Sequence, residues 1–241
     1  MTTQNASLEP VQPLSPLKGW RNALGVTVLG CLIIGLANFM LLAGYLAKAV
    51  KDLQLAALLL DIGFAIGMAI ILGLIVFWQR SHGETLAELG WRKPTTPLAI
   101  ILGVVVGVLW LALSYLGAMH LLPHSNFFAI TWIRIVMALL GIFIATAEEI
   151  MMRGFFMTQL RRVGVPTWIQ IFASGACSAI YHGLQNFTLA GLLPSFILFS
   201  ILAGIYVLGK RSITPTAIGH SMIHFLGDPY LTMLILAVLP K

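Results

Sequence analysis

Residues 145–156 read ATAEEIMMRGFF, two adjacent glutamates and an arginine inside an otherwise oily run. Whether that run lies in a membrane decides the fold. The chain has 241 residues, 59% of them hydrophobic and 9% charged, with a mean hydropathy of +0.96. A soluble domain carries about 25% charged residues. Apolar runs close to the ~20 residues that cross a bilayer recur along the whole sequence. The composition therefore specifies an all-α integral membrane protein, a polytopic helix bundle. In that setting each charge near the bilayer centre costs about 2.5–3.5 kcal/mol even on a lenient insertion scale, so Glu148, Glu149 and Arg153 need a reason to be there.

Working outward, apolar segments fall at 22–47, 55–78, 97–122, 127–147, 166–184, 188–208, 213–227 and 229–239. Eight spans are expected, with the last two separated at Gly227-Asp228-Pro229, where proline ends a helix; one broken helix there would give seven. Residues 1–17 form a polar, proline-containing lead-in expected to be disordered and cytoplasmic. Residues 18–83 supply the N-terminal membrane helices, and 84–241 a core carrying the unusual charges. The first apolar stretch is too long for a signal-peptide core and lacks a clear cleavage site, so it is expected to stay as an anchor.

The net charge of +6 raises the question of nucleic acid, but the basic residues form no single stripe, and no nucleic-acid role is expected. They cluster instead between spans. With the N-terminus in the cytoplasm, Lys18, Arg21, Arg80, Arg92, Lys93, Arg153, Arg161, Arg162, Lys210, Arg211 and Lys241 fall inside and only Lys48 and Lys51 outside, the bias that orients membrane proteins. Cys31 and Cys177 form no CxxC pair and read as packing residues. The interruption at 80–97 contains ETLAELG, expected to be a short interfacial helix ended by Gly90, with Trp91 at headgroup level. Trp20 and Trp168 mark boundaries in the same way. No internal repeat of the kind that builds many transporters is visible.

Helical geometry sorts the charges. Glu149 and Arg153 are four apart and share a face, whereas Glu148 points about 100° away from Glu149. If the helix continues past Gly154 to Arg161 and Arg162, the glutamates lie about 18–20 Å from that basic edge, inside the membrane. A break at Gly154 would put them at the interface. His182 ends another span, in ACSAIYHGLQN. His220 and His224 are four apart in GHSMIH, the spacing that lets two imidazoles converge on one metal, water or carbonyl oxygen. Together these residues point to one polar cavity among the fourth, fifth and seventh helices. A carboxylate and an imidazole there can activate a water, and a second imidazole pair can stabilise an oxyanion. The same side chains can instead ligate a divalent metal that lowers the pKa of water. Either scheme hydrolyses an amide bond within the membrane; no HExxH or GxSxG accompanies it.

These motifs resemble those of the CAAX prenyl endopeptidase type 2 and bacteriocin-processing family of intramembrane proteases, the ABI or CPBP family. EExxxR is matched by Glu148, Glu149 and Arg153, followed by Gly154 and Phe155. FxxxH is matched at His182, with Ser178 in the phenylalanine position. HxxxN is matched at His220, with His224 in place of asparagine. The resemblance extends over about 84–240 and includes TLAELGWRKP. It implies that Glu148 and His182 activate the water, that Glu149 and Arg153 support them, and that His220 with His224 stabilises the oxyanion. It leaves open a metal-free site and one in which Glu148, His182, His220 and His224 hold a divalent metal such as zinc. The implied substrate is a peptide or membrane protein, prenylated or small, and the expected location is a bacterial inner membrane.

Two other function classes are compatible with the same residues. Intramembrane glutamates and histidines also build proton relays, as in ion-coupled transporters. The fold can also serve without catalysis, as a membrane scaffold or bacteriocin-immunity factor. Asp61 and Arg134 are further intramembrane charges, expected to pair with each other or line the cavity, while His120 and His124 flank an outer edge. If Asp61→Asn and Arg134→Gln each leave expression and thermal stability unchanged, that pairing is not structural.

Overall fold

In a computed structural model, residues 14–92, 96–121, 130–184, 189–227 and 230–237 are described, and every regular element among them is helical. The expected lead-in before Leu14, as well as Lys93, His124, Gln185, Asn186, Asp228, Pro229 and Lys241, lies outside the described residues. Helices form because hydrocarbon offers backbone N–H and C=O groups no partner other than one another.

Helix α1 spans Pro16–Ala49, with proline at its first turn, where the missing N–H costs nothing. Its middle, Cys31–Leu42, is wound wider as a π-helix. Helix α2, Leu53–Ser81, starts where the Asp52 side chain accepts from the N–H groups of Gln54 and Leu55 at 2.9 and 3.1 Å. The interfacial element expected in ETLAELG is present as a short 3-10 turn, Leu86–Leu89. Thr85 and Glu88 close a capping box around it, and Gly90 ends it at φ +81°, a left-handed conformation that favours glycine.

Next come α3, Pro97–Leu121, and α4, Trp132–Arg162. The helix does not break at Gly154. It continues as a π-helical stretch, Ile150–Phe156, into Met157–Arg162. Helices α5, Thr167–Gly183, α6, Leu189–Leu208, α7, Thr214–Gly227, and α8, Tyr230–Ala237, complete the chain. Helix therefore occupies all eight apolar stretches. By length and composition α1, α2, α3 and α4 can each cross a membrane, while α8 rises only about 12 Å at 1.5 Å per residue.

The outer surface confirms the membrane setting. Phe77, Leu113 and Leu139 are at least 60% exposed, a surface that water would penalise and lipid does not. The core uses Met68, Met137, Met151, Met152 and Met157, all fully buried, whose flexible side chains fill irregular gaps between helices.

Helix α3 packs along α7, α5 along α6, and α4 lies between α7 and α2. The α3–α7 seam depends on Gly103-x-x-x-Gly107 facing Gly219. A Cβ at Gly107 would sit 2.5 Å from the carbonyl oxygen of Gly219, and one at Gly219 would strike the carbonyl oxygen of Gly103. Small residues let membrane helices approach this closely. Gly107→Val is therefore expected to lower thermal stability by about 1–3 kcal/mol, the usual cost of overpacking. A midpoint equal to wild type in a thermal unfolding series would refute this seam. Asp61 is buried and accepts from Thr232 Oγ1 at 2.7 Å, tying α8 to α2. Arg134 is buried at the start of α4, its backbone N–H held by Thr131 Oγ1 at 3.3 Å.

Candidate active site

Glu148 and Glu149 sit midway along α4, between Trp132 and Arg162, and are 2% and 0% exposed. The 100° step between them separates their surroundings as the helical spacing requires. Glu149 Oε2 meets Arg153 Nε at 3.2 Å on the same face. Arg153 is fully buried; its Nη2 donates to the carbonyl of Phe199 at 2.8 Å and its guanidinium lies 5.2 Å from the Phe199 ring. This arginine is thus engaged on several sides, which is what makes a buried charge tolerable.

Glu148 turns to the histidines. Its Oε1 lies 3.5 Å from His182 Nε2 and its Oε2 3.4 Å from His220 Nε2. The other nitrogen of each ring is anchored. His182 Nδ1 donates to the carbonyl of Ser178 at 2.8 Å, and His220 Nδ1 to Glu149 Oε1 at 2.9 Å. A carbonyl accepts only, and Glu149 is charge-paired with Arg153. These bonds therefore assign the proton to Nδ1 in both neutral rings, leaving both Nε2 lone pairs directed at Glu148. The separations exceed an ordinary hydrogen bond.

The structure thus brings Glu148, Glu149, Arg153, His182 and His220 together, from α4, α5 and α7. His224, one turn on, places its ring 5.2 Å from that of His220. Ser178, where the family pattern has phenylalanine, orients His182 through its backbone carbonyl, a role independent of side chain. One residue gave no signal in the sequence. Phe199 of α6, 3% exposed, packs at 4.6 Å on the His182 ring and edge-on at 5.5 Å to His220. It reads as one more apolar residue of its span. Tyr181 at 4.5 Å and Phe39 of α1 at 6.1 Å also flank His182.

By type, Glu148, His182, His220 and His224 suit zinc, and ring nitrogens oriented through their far N–H are typical of metal sites. Among the described residues no group of three His, Cys, Asp or Glu side chains is arranged to hold a metal ion; the two rings face different oxygens of Glu148.

Residues 128–226 match the family model of type II CAAX prenyl endopeptidases, Rce1-like. Over that stretch the chain is similar to the Rce1-like family. It contains both glutamates, Arg153 and all three histidines of the site. The match names the same family as the motif resemblance and falls within the residues over which that resemblance extends. No curated protein and no solved structure matches the chain.

Proposed function

We propose that this protein is an intramembrane endopeptidase that hydrolyses a peptide bond of a membrane-associated substrate, a prenylated protein or small peptide, with a water activated by Glu148 and His182. The observation that carries this reading is the Glu148 carboxylate set between two imidazole Nε2 atoms, with a second, arginine-paired carboxylate behind one of them.

Water held between Glu148 and His182 attacks the carbonyl carbon while its proton passes to Glu148. As the C–N bond breaks, Glu148 returns that proton to the leaving amine. Stabilising the oxyanion requires N–H donors. His220 supplies one through Nε2 only as an imidazolium, a charge that Glu149 at its other nitrogen supports. His224 stands one turn away as the second donor, taking the place of the family's asparagine. Phe199 keeps the two rings apart and in register. The basic edge bearing Arg92, Arg161, Arg162, Lys210 and Arg211 lies at the cytoplasmic face in this reading, in a bacterial inner membrane.

The test is cleavage of a library of hydrophobic and prenylated peptides by detergent-purified protein, wild type beside His182→Ala, with and without a chelator. Cleavage by wild type, loss in His182→Ala and indifference to the chelator are expected. Loss of activity on chelation, restored by zinc, would replace the water scheme with a metal one. Cleavage unaffected by His182→Ala would sink the site assignment.

A further inference from the structure

An apolar groove of about 510 Å³ opens between α4 and α7 on the surface of the bundle, within the ~300–1,000 Å³ usual for ligand sites. Its lining runs from Trp91 and Thr214 past Ile142 and Ile218 to Phe225. From Thr214 to Phe225 this is about 17 Å along α7 at 1.5 Å per residue. Trp91, Ile142 and Phe225 are 60%, 38% and 45% exposed, so the groove is open along a face that meets lipid.

One end carries concentrated positive charge. Arg92 lines the mouth, and its Nη2 donates to the carbonyls of Lys210 at 2.8 Å and Arg211 at 3.2 Å. Lys210 and Arg211 both hold left-handed backbone conformations, φ 52° and 61°. Non-glycine residues adopt these at a cost, and such strain concentrates at ligand sites. The Arg211 guanidinium lies 6.0 Å from the centre of the Tyr206 ring, and its Nη1 is buried with no hydrogen-bond partner among the described residues. No carboxylate forms an ion pair with Arg92, Lys210 or Arg211 among them either; Glu84 and Glu88 pair instead with Arg162. Like charges held together by backbone geometry repel, and a bound anion relieves that repulsion.

We infer that this groove is a binding site for an anionic phospholipid, with its phosphate at Arg92, Lys210 and Arg211 and one acyl chain along α7 as far as Phe225. Basic pockets between membrane helices recognise acidic headgroups in this way, and the apolar floor supplies what a free anion would not use. None of the groove's lining residues is Glu148, Glu149, His182, His220 or His224, and the site does not depend on the proposed reaction. The groove does share α4 and α7 with the Glu148 cluster, so lipid occupancy braces the helices that carry Glu148 and His220.

The experiment uses the full chain in phosphatidylcholine vesicles titrated with acyl-brominated phosphatidylglycerol, reading the tryptophan quenching that a Trp91→Phe variant lacks. Wild type is expected to be quenched by brominated phosphatidylglycerol at far lower mole fraction than by brominated phosphatidylcholine. Lys210→Gln should require about fivefold more of the acidic lipid, and Arg211→Gln a similar increase. Ala217→Phe fills the groove, keeps every cation, and should abolish the selective quenching. Equal quenching by both lipids in wild type, or unchanged titrations in Lys210→Gln and Ala217→Phe, would overturn the proposal. Reversal by inorganic phosphate at matched ionic strength would overturn it too, showing a free-phosphate site.

Discussion

Glu148→Gln is expected to leave the protein folded and to lower the single-turnover cleavage rate by about 10²–10⁴, the usual contribution of a positioned general base. Glutamine keeps the volume and one carbonyl oxygen of the original side chain, so packing against α5 and α7 changes little. Its amide also donates, which suits the two Nε2 lone pairs that face this position. What it lacks is basicity, since an amide does not accept the proton of an attacking water. The comparison that isolates chemistry from stability is the thermal midpoint, which should match wild type within error while the rate collapses. A rate within about tenfold of wild type would remove Glu148 from the reaction, because even the weakest base catalysis exceeds that factor.

The neighbouring glutamate is read differently although the sequence places the two side by side. Helical spacing alone separated them: i to i+4 joins Glu149 to Arg153, and the 100° step turns Glu148 elsewhere. Both relations hold in the structure. So does the Gly90 stop, because a capping box and a left-handed glycine are local signals that no distant packing overrides. Other features were not legible. The sequence leaves open whether the helix breaks at Gly154 or continues to Arg161 and Arg162; it continues, because Arg153 is neutralised inside the bundle rather than at an exposed helix end. The π-helical winding of Ile150–Phe156 has no sequence signature; it re-aims Arg153 and the residues after it by a wider turn than 3.6 residues. The Gly103-x-x-x-Gly107 spacing is a packing motif legible in the sequence, although its partner Gly219 on α7 is not. Phe199 was beyond reach in principle, since its role lies in contacts with residues from three other helices. His220 was paired with His224 by spacing, whereas its shortest bond is to Glu149, seventy-one residues away. Periodicity reports neighbours on one helix and is silent about the helix opposite.

Arg153→Met is expected to be the most destabilising single change in the site, by about 3–5 kcal/mol, the cost of breaking a buried pair and stranding one charge. Methionine fills most of the space that the arginine stem occupies, so the loss is electrostatic. Glu149, fully buried, would lose its one charged partner and keep the His220 bond and the Thr216 hydroxyl, and the Phe199 carbonyl would lose its donor. The double variant Glu149→Gln with Arg153→Met removes both charges and should be more stable than Arg153→Met alone, since an uncharged pair in a dry site avoids the desolvation penalty. Its cleavage rate should nonetheless stay low. His220 would face an amide instead of a carboxylate, and an imidazolium forming opposite the oxyanion would have nothing to support it. A stable but slow double variant separates the two tasks of Glu149, holding Arg153 and backing His220. A double variant no more stable than Arg153→Met would mean the arginine acts through its packing on Phe199 rather than through its charge.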